Sequence, residues 1–151
     1  SKECTRFLFT LSDAAATVLF ALERANGGEV FVPKLNSYRV EDVAEALATI
    51  CGTNKPEIKY IGLRQGEKLH EDMLADTEIP HTNETLNTLY DGPRVVGAVM
   101  PEYYRANELK MCEGFASYSL WKAGTLSSDA SLSDDREELI TLIERGLHDT
   151  V

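Results

Sequence analysis

The segment from Ile58 to Glu71 holds the residues whose types and spacing are best suited to chemistry. It reads IKYIGLRQGEKLHE and places Arg64, Gly66 and Glu67 at the end of a predicted strand. A guanidinium is a planar fork of donors that can hold a diphosphate through two hydrogen bonds. A glycine lets the backbone approach a ligand closely, and a carboxylate can accept hydrogen bonds from ribose hydroxyls. The segment indicates a site for a phosphorylated ligand, although an ordinary strand-loop-helix connection with solvated charges would show the same spacing.

Three blocks of the sequence together resemble one known family. The segment Ile58–Glu71 is similar to the IxIRPGEKLHE signature of the UDP-N-acetylglucosamine 4,6-dehydratases, the polysaccharide-biosynthesis branch of the extended short-chain dehydrogenase/reductases. Thr5–Ala14 is similar to their MTRFxxTxxDA block, and Gly28–Lys34 to their GEIFVPK block. The tail matches only loosely, through Glu-Gly-Phe at 113–115 and Ser-Ser-Asp at 127–129. Gln65 stands where the family usually has proline, and this difference should loosen the backbone beside the arginine.

The resemblance implies a substrate-binding portion of such an enzyme. No G-x-G-x-x-G fingerprint of a dinucleotide-binding fold occurs in the sequence. The resemblance therefore implies that NADP is bound in the complete enzyme by an N-terminal Rossmann half that is missing here, and that the complete enzyme is a homo-oligomer. We expect an α+β (mixed α/β) fold, the small lobe of an extended reductase, with short strands, several helices and no Rossmann sheet. In the resembled enzymes the catalytic and cofactor-binding residues lie in the missing half, so none is assigned to this chain.

The resemblance assigns substrate-binding roles to five positions. The arginine of the family's Thr-Arg-Phe block approaches the nucleotide diphosphate, which implies that role for Arg6, with Thr5 as a neutral donor beside it. Arg64 is expected to be the second cation on the diphosphate, Gly66 to allow close backbone approach, and Glu67 to contact the ribose. Two guanidinium groups on one diphosphate would contribute about 1.5 to 3 kcal/mol per charge-assisted hydrogen bond. The expected ligand is a UDP-sugar.

Three functions are consistent with these features. The first is the UDP-sugar-binding portion of a nucleotide-sugar 4,6-dehydratase of surface polysaccharide biosynthesis, inactive by itself. The second is the equivalent portion of a nucleotide-sugar 4-epimerase, which shares the oxidation at C4 but eliminates nothing. The third is a non-catalytic interaction module, for which a serine- and glycine-rich arm and an amphipathic terminal helix would serve equally well.

Charge and cysteine content limit which partners this protein is expected to bind and in which cellular compartment it is expected to occur. Fifteen basic and twenty-five acidic side chains give a formal charge of −10 at pH 7, which repels nucleic acid and anionic membrane surfaces. Cys4, Cys51 and Cys112 form no C-x-x-C pair, as expected for free thiols in a reducing cytoplasm. The apolar run Ala14–Leu22 is too short to span a bilayer. The pair Glu67 and His70 has the Glu-x-x-His spacing of di-iron sites, but further ligands are missing, so a phosphate-facing or helix-capping role is expected and no metal site.

Hydrophobic periodicity predicts the elements that carry these residues. Helical spacing predicts a helix over Thr10–Ala25, a second one with apolar positions from Val40 to Ile50 that ends at Gly52, and a shorter one from about Glu67 to Leu74. Runs rich in β-branched residues predict strands over Glu29–Pro33 and Glu57–Leu63.

The remaining segments are predicted from polar and turn residues. Leu35–Arg39 and Asp76–Glu84 are expected to be loops, and Leu86–Tyr90 is expected to pair with Arg94–Met100 as a hairpin. Ser133 is predicted to cap a final helix. The predicted domains are a substrate-binding lobe over residues 1–110, an extended arm over 111–132 and a C-terminal helix over 133–151.

Overall fold

The fold is mixed α+β, as the sequence predicts. The computed structural model describes residues 1–25, 27–53, 56–87, 94–99, 119–120, 126–128 and 130–149. The helices are α1 (Leu11–Arg24), α2 (Val40–Ile50) and α3 (Arg136–His148), with one 3₁₀ turn over Ile79–His81. The strands are β1 (Thr5–Phe7), β2 (Val30–Pro33), β3 (Ser37–Arg39), β4 (Asp72–Leu74), β5 (Thr82–Asn87), β6 (Arg94–Val99), β7 (Ser119–Leu120) and β8 (Leu126–Ser127).

The chain divides into two compact units, each built from separate stretches of sequence. The first unit comprises Ser1–Ser12, Leu35–Asp72 and Ser127–Val151. The second unit comprises Asp13–Lys34 and Met73–Leu126. The predicted division into lobe, arm and terminal helix stays a prediction, because most of the arm lies outside the described residues.

The first unit is built around one small apolar core. Strand β1 pairs antiparallel with β3, and Arg6 lies opposite Tyr38 in this register. Tyr38, Ala46 and Leu139 are fully buried together, and five partly buried side chains pack against them: Leu8, Val43, Ile140, Leu142 and Ile143. Truncating a buried leucine such as Leu139 costs about 2 to 5 kcal/mol. Helices α2 and α3 are therefore fixed to the short ladder that carries Arg6.

The N-cap of helix α3 lies two residues after the predicted one. The carboxylate of Asp135 accepts a hydrogen bond from the Glu138 N–H at 3.0 Å, so Asp135 is the capping residue. The prediction that Ser133 caps the helix is wrong, because the Ser133 hydroxyl instead donates to the Glu138 carboxylate at 3.2 Å. Both residue types are good N-caps, so composition alone did not distinguish them.

The second unit contains a four-stranded antiparallel sheet with the order β2-β6-β5-β7. The predicted hairpin pairing is confirmed, with Asn87 opposite Arg94, although β5 begins at Thr82 within the predicted loop. Residues 88–93, which join the two strands, lie outside the described part of the chain. Helix α1 packs on the sheet through Phe20, whose ring meets that of Phe31 edge to face at 5.9 Å between centroids.

Three local predictions between residues 35 and 74 are wrong, and for two of them the structure shows the long-range hydrogen bonds that override the local pattern. Leu35–Arg39 is not a polar loop, because Ser37–Arg39 forms β3 against β1. Glu57–Leu63 forms no strand, and Gly62 within it has a φ of 77°, outside the strand region. Glu67–Leu74 forms no helix, because the Leu69 carbonyl accepts from the Thr5 N–H at 3.1 Å instead of from a residue four positions later.

No helix in the described part of the chain combines the length and apolar character needed to cross a membrane.

Candidate functional site

The turn Arg64–Glu67 is the centre of the candidate site. The Glu67 N–H donates to the Arg64 carbonyl at 3.0 Å, and Gly66 at the third position has a φ of 83°. These are features of a type II turn, which needs a residue with positive φ at that position. A Cβ on Gly66 would meet no atom within 4 Å. The positive φ, and not a lack of space, therefore explains why a glycine occupies this position.

Glu67 closes this turn with its own side chain. Its Oε2 accepts from the Arg64 N–H at 3.0 Å, and its Oε1 accepts from Nη2 of Arg6 at 3.2 Å. The hydrogen bond from the Arg64 N–H, followed by the positive charges of Arg6 and Arg64, holds the pKa of Glu67 below its ordinary value. Glu67 is therefore a carboxylate at neutral pH, with lone pairs left to accept further hydrogen bonds.

Arg6 donates hydrogen bonds to the same segment and to its own strand. Its Nη1 donates to the carbonyls of Thr5 at 2.7 Å and Leu69 at 3.2 Å, and its Nη2 donates to the carbonyl of Lys68 at 2.9 Å. The guanidinium thus ties β1 to the residues that follow the turn. Arg64 differs, because its guanidinium has no ion pair or hydrogen bond with any described residue.

The side chains of Thr5, Ser37, His70 and Ser128 form a second set of hydrogen bonds that connects this segment to the rest of the first unit. The Thr5 Oγ1 lies 2.7 Å from Nδ1 of His70 and 2.7 Å from Oγ of Ser128. The Ser128 Oγ accepts from the Glu71 N–H at 2.8 Å, and Ser37 donates through its hydroxyl to the Ser128 carbonyl. Thr5, Ser37 and Ser128 are all buried. The Thr5 hydroxyl, which was predicted to contact the substrate, is therefore hydrogen-bonded to side chains of the protein itself.

A cleft of about 330 Å³ opens beside the turn within the first unit. Its lining includes Arg64, Glu67, Val40, the aromatic ring of Tyr60 and the exposed side chain of Ile61. The Tyr60 hydroxyl donates to Glu41, and this hydrogen bond raises the pKa of Tyr60 to about 12. The cleft therefore combines apolar walls with two cationic side chains, Lys59 and Arg64, and two acidic ones, Glu41 and Glu67.

The structure brings all five predicted residues into one region of the first unit, with the Glu67 carboxylate at its centre. Arg6 and the backbone of Arg64 both bond to Glu67. Gly66 lies in the turn between Arg64 and Glu67, and Thr5 precedes Arg6 in β1. Of the two predicted cations, Arg64 lines the cleft and Arg6 is absent from its described lining. That both guanidinium groups contact one diphosphate stays a prediction.

Sequence reasoning did not predict the hydrogen bonds that Ser128, Ser37 and His70 make beneath the turn. The loose family match at 127–129 was the available signal for Ser128, and it carried no indication of a partner in β1. Ser37 lies in a segment that was predicted to be a loop. For the pair Glu67 and His70 a phosphate-facing or helix-capping role was favoured over a metal site, and the contact of the His70 imidazole with the Thr5 hydroxyl was not predicted.

Comparisons with known proteins agree with the resemblance. The family described as "Polysaccharide biosynthesis protein" matches residues 1–91. The UDP-N-acetylglucosamine 4,6-dehydratase (inverting) of Campylobacter jejuni subsp. jejuni serotype O:2 is 37% identical over 122 residues, which are 76% of this chain and 34% of that protein. The UDP-glucose 4-epimerase of Rickettsia rickettsii is 39% identical over 80 residues, which are 53% of this chain and 23% of that protein.

A solved structure shows the same fold. Pen from Bacillus thuringiensis matches 96% of this chain and 38% of its own chain with a TM-score of 0.70 and 24% sequence identity. This chain spans 34% and 23% of the lengths of the two curated relatives described above. Because the family match over residues 1–91 covers more than half of the 151 residues, this protein belongs to the polysaccharide biosynthesis protein family, whose relatives found here include nucleotide-sugar dehydratases and epimerases.

Proposed function

We propose that this chain is the UDP-sugar-binding portion of a nucleotide-sugar 4,6-dehydratase of surface polysaccharide biosynthesis. The observation that carries the proposal is the turn Arg64–Glu67, which places at the edge of one cleft an ionised carboxylate and a guanidinium that has no ion pair among the described residues. The dehydratase relative from Campylobacter jejuni, 37% identical, supports the choice of reaction class.

The proposed pose assigns one part of the ligand to each group. The diphosphate lies on the guanidinium of Arg64, which can bind two of its oxygens at once. The ribose hydroxyls donate to Glu67, and the backbone at Gly66 allows the ligand to approach closely. Thr5 and Arg6 contribute to the site through hydrogen bonds to the segment that follows the turn, Thr5 to His70 and Arg6 to the carbonyls of Lys68 and Leu69. The cleft volume of about 330 Å³ lies within the range of small-molecule sites.

The described residues do not fit NADP, the cofactor that the resemblance implies. A dinucleotide fold presents a glycine-rich turn between a parallel strand and the start of a helix. Here the sheet of the second unit is antiparallel, and the positive-φ residues Gly27 and Gly28 follow the end of α1 instead of opening a helix. We therefore assign this chain the binding of the sugar nucleotide and no step of the redox chemistry. A Rossmann half as partner, a homo-oligomeric complete enzyme and a cytoplasmic location belong to the same proposal.

Titration of UDP by calorimetry tests the site. We expect wild type to bind UDP and Arg64→Gln to bind it about tenfold or more weakly, because a charge-assisted contact to phosphate is lost. Arg136→Gln is the matched control, since Arg136 lies at the start of α3, is paired with Glu45 at 3.6 Å and changes net charge by the same amount. Equal affinities in wild type and Arg64→Gln would remove Arg64 from the site.

A nucleotide-sugar 4-epimerase is the second candidate, and the relative from Rickettsia rickettsii, 39% identical over 80 residues, favours it. Product analysis of the complete enzyme separates the two reactions. A keto-deoxy sugar forms only if water is eliminated, so its appearance supports the dehydratase. A product that differs from the substrate only in its configuration at C4 supports the epimerase.

A further inference from the structure

Helix α1 is apolar on two opposite sides. Residues 14–22, which form most of the helix, include no charged side chain. On the inner side Phe20 is 2% exposed, and its ring meets that of Phe31 in the sheet of the second unit. The opposite side of the helix is also built from alanine, valine and leucine. A helix that is apolar all round is normally buried on all sides.

The outer side of α1 carries a stripe of exposed apolar side chains, which we call the outer stripe. Its members are spaced by three or four residues and therefore share one face of the helix: Ala15, Val18, Leu19 and Leu22. Val18, Leu19 and Leu22 are 59%, 57% and 75% exposed. An exposed apolar patch of this kind marks an interaction surface.

Helix α3 shows that the outer stripe is not a general feature of this chain. The exposed positions of α3 are mainly charged, and they include Glu137, Glu138, Glu144 and Arg145. Such a face is suited to water, and covering it would remove charges from solvent at a cost in free energy. The outer stripe of α1 has the opposite character, because covering it removes apolar surface from water.

A second copy of this chain fits the outer stripe poorly. Each copy has a formal charge of −10 at pH 7, so two copies repel each other. With 14 residues, α1 offers a face about 21 Å long and 10 Å wide. Stable association of free proteins buries roughly 800 Å² on each partner, which is more than this face supplies.

A segment of the same polypeptide meets a lower requirement. Covalent attachment raises the effective concentration of the segment and removes most of the entropy cost of association, so a short stripe is enough to hold it. This chain spans 34% of the length of the dehydratase from Campylobacter jejuni and 38% of the chain of Pen. Most of the length of each of these proteins therefore lies outside the part that matches.

We infer that the outer stripe of α1 is the surface of the second unit on which the remaining portion of the same polypeptide packs, through an apolar face of its own. This inference rests on the proposed function, which makes the chain one portion of a larger enzyme. It adds the place of contact, because Val18, Leu19 and Leu22 become buried only when that portion is present.

Thiol labelling measures whether the outer stripe is covered. Cys51→Ser and Cys112→Ser remove two native thiols, and the third, Cys4, is buried. Leu22→Cys then places one reactive thiol on the stripe, and Glu144→Cys places one on an exposed position of α3 as the control. The rate of reaction with a maleimide is measured for each variant in the 151-residue chain and in the complete enzyme.

We expect Leu22→Cys to react about tenfold or more slowly in the complete enzyme than in the chain alone, because a covered thiol reacts only after local opening. Glu144→Cys should react at rates that agree within about twofold in the two proteins. Equal rates for Leu22→Cys in both would overturn the inference. A parent polypeptide with no portion beyond these residues would overturn it as well.

The chain alone also tests for a second copy. The inference predicts that the labelling rate of Leu22→Cys does not depend on protein concentration. A rate that falls as the concentration rises, together with a dimer in sedimentation, would show that a second copy covers the stripe and would overturn the inference. Val18→Cys, one turn away on the same stripe, gives the measurement if Leu22→Cys does not fold.

UDP titration of the same samples separates this inference from the proposed function. If the complete enzyme binds no UDP, the sugar-nucleotide assignment fails, and the labelling rates still decide whether the outer stripe is covered. If it binds UDP and Leu22→Cys reacts equally fast in both proteins, the proposed function stands and the docking surface is wrong.

Discussion

The hydroxyl oxygens of Thr5 and Ser128 lie 2.7 Å apart, although the two residues are 123 positions apart in the sequence. The Thr5 hydroxyl also contacts His70, and the Ser128 hydroxyl accepts from the Glu71 N–H. This buried contact fixes the segment after the Arg64–Glu67 turn to β1. The geometry of the candidate site therefore depends on a residue close to the other end of the described chain.

Ser128→Ala should destabilise the protein by about 1 to 3 kcal/mol, because it leaves the Glu71 N–H and the Thr5 hydroxyl without their buried partner. Denaturant unfolding measures the change. Ser131→Ala is the control, since the hydrogen bonds recorded for Ser131 join its backbone to Ser37 and Ser127. Equal stabilities of the two variants would show that the Ser128 hydroxyl does not hold the segment.

Gln65→Pro should stabilise the Arg64–Glu67 turn by about 0.4 to 1 kcal/mol, because proline restricts the unfolded chain and suits the second position of a type II turn. No described backbone carbonyl accepts from the Gln65 N–H. Gln65→Ala is the matched control, and thermal unfolding is the measurement. A lower melting temperature in Gln65→Pro than in Gln65→Ala would mean that the backbone there does not have the φ of a type II turn.

Two glycine substitutions should have opposite effects. Gly66→Ala should destabilise by about 1 to 2 kcal/mol, because an alanine at a φ of 83° is strained. Gly146→Ala should stabilise α3 by about 0.5 to 1 kcal/mol. Its added Cβ would lie 4.0 Å from the methyl group of Thr10, an ordinary contact. Denaturant unfolding of both variants measures the signs, and a neutral Gly66→Ala would contradict the turn geometry.

The contribution of Glu67 should depend on pH. Its pKa in the folded protein lies below the ordinary value of 4.5, chiefly because of the Arg64 N–H. A depressed carboxyl pKa stabilises the folded state above the unfolded pKa, and this stabilisation disappears as the pH falls through the folded pKa. Wild type should therefore be more stable than Glu67→Gln at neutral pH, and the difference should shrink at about pH 3.

Thermal unfolding at both pH values measures the effect of Glu67. Glu144→Gln, on an exposed position of α3, is the control for the loss of one negative charge. A difference between wild type and Glu67→Gln that is the same at both pH values would rule out ionisation of Glu67 as its source.

The elements that could be predicted from the sequence are those stabilised by nearby residues. Helices α1 and α2 were predicted to within two residues at each end, because their apolar spacing and the glycines after them are local signals. The predicted helix Glu67–Leu74 is wrong because the carbonyls of Leu69 and Glu71 accept from the N–H groups of Thr5 and Ser128, far away in the sequence. The residue types of the candidate site were visible in the sequence, but the occupied donors of Arg6 were not.

The most direct test of the account is an amide correlation spectrum of isotope-labelled protein, recorded while UDP is added. We predict concentration-dependent shifts at the amides of Gly62, Arg64, Gly66 and Glu67, which lie in or beside the turn and cleft. Amides around Tyr38 and Asp134, which border a separate groove of about 250 Å³, should remain unchanged. Shifts confined to that groove, or no shifts at all, would contradict nucleotide-sugar binding at the turn Arg64–Glu67.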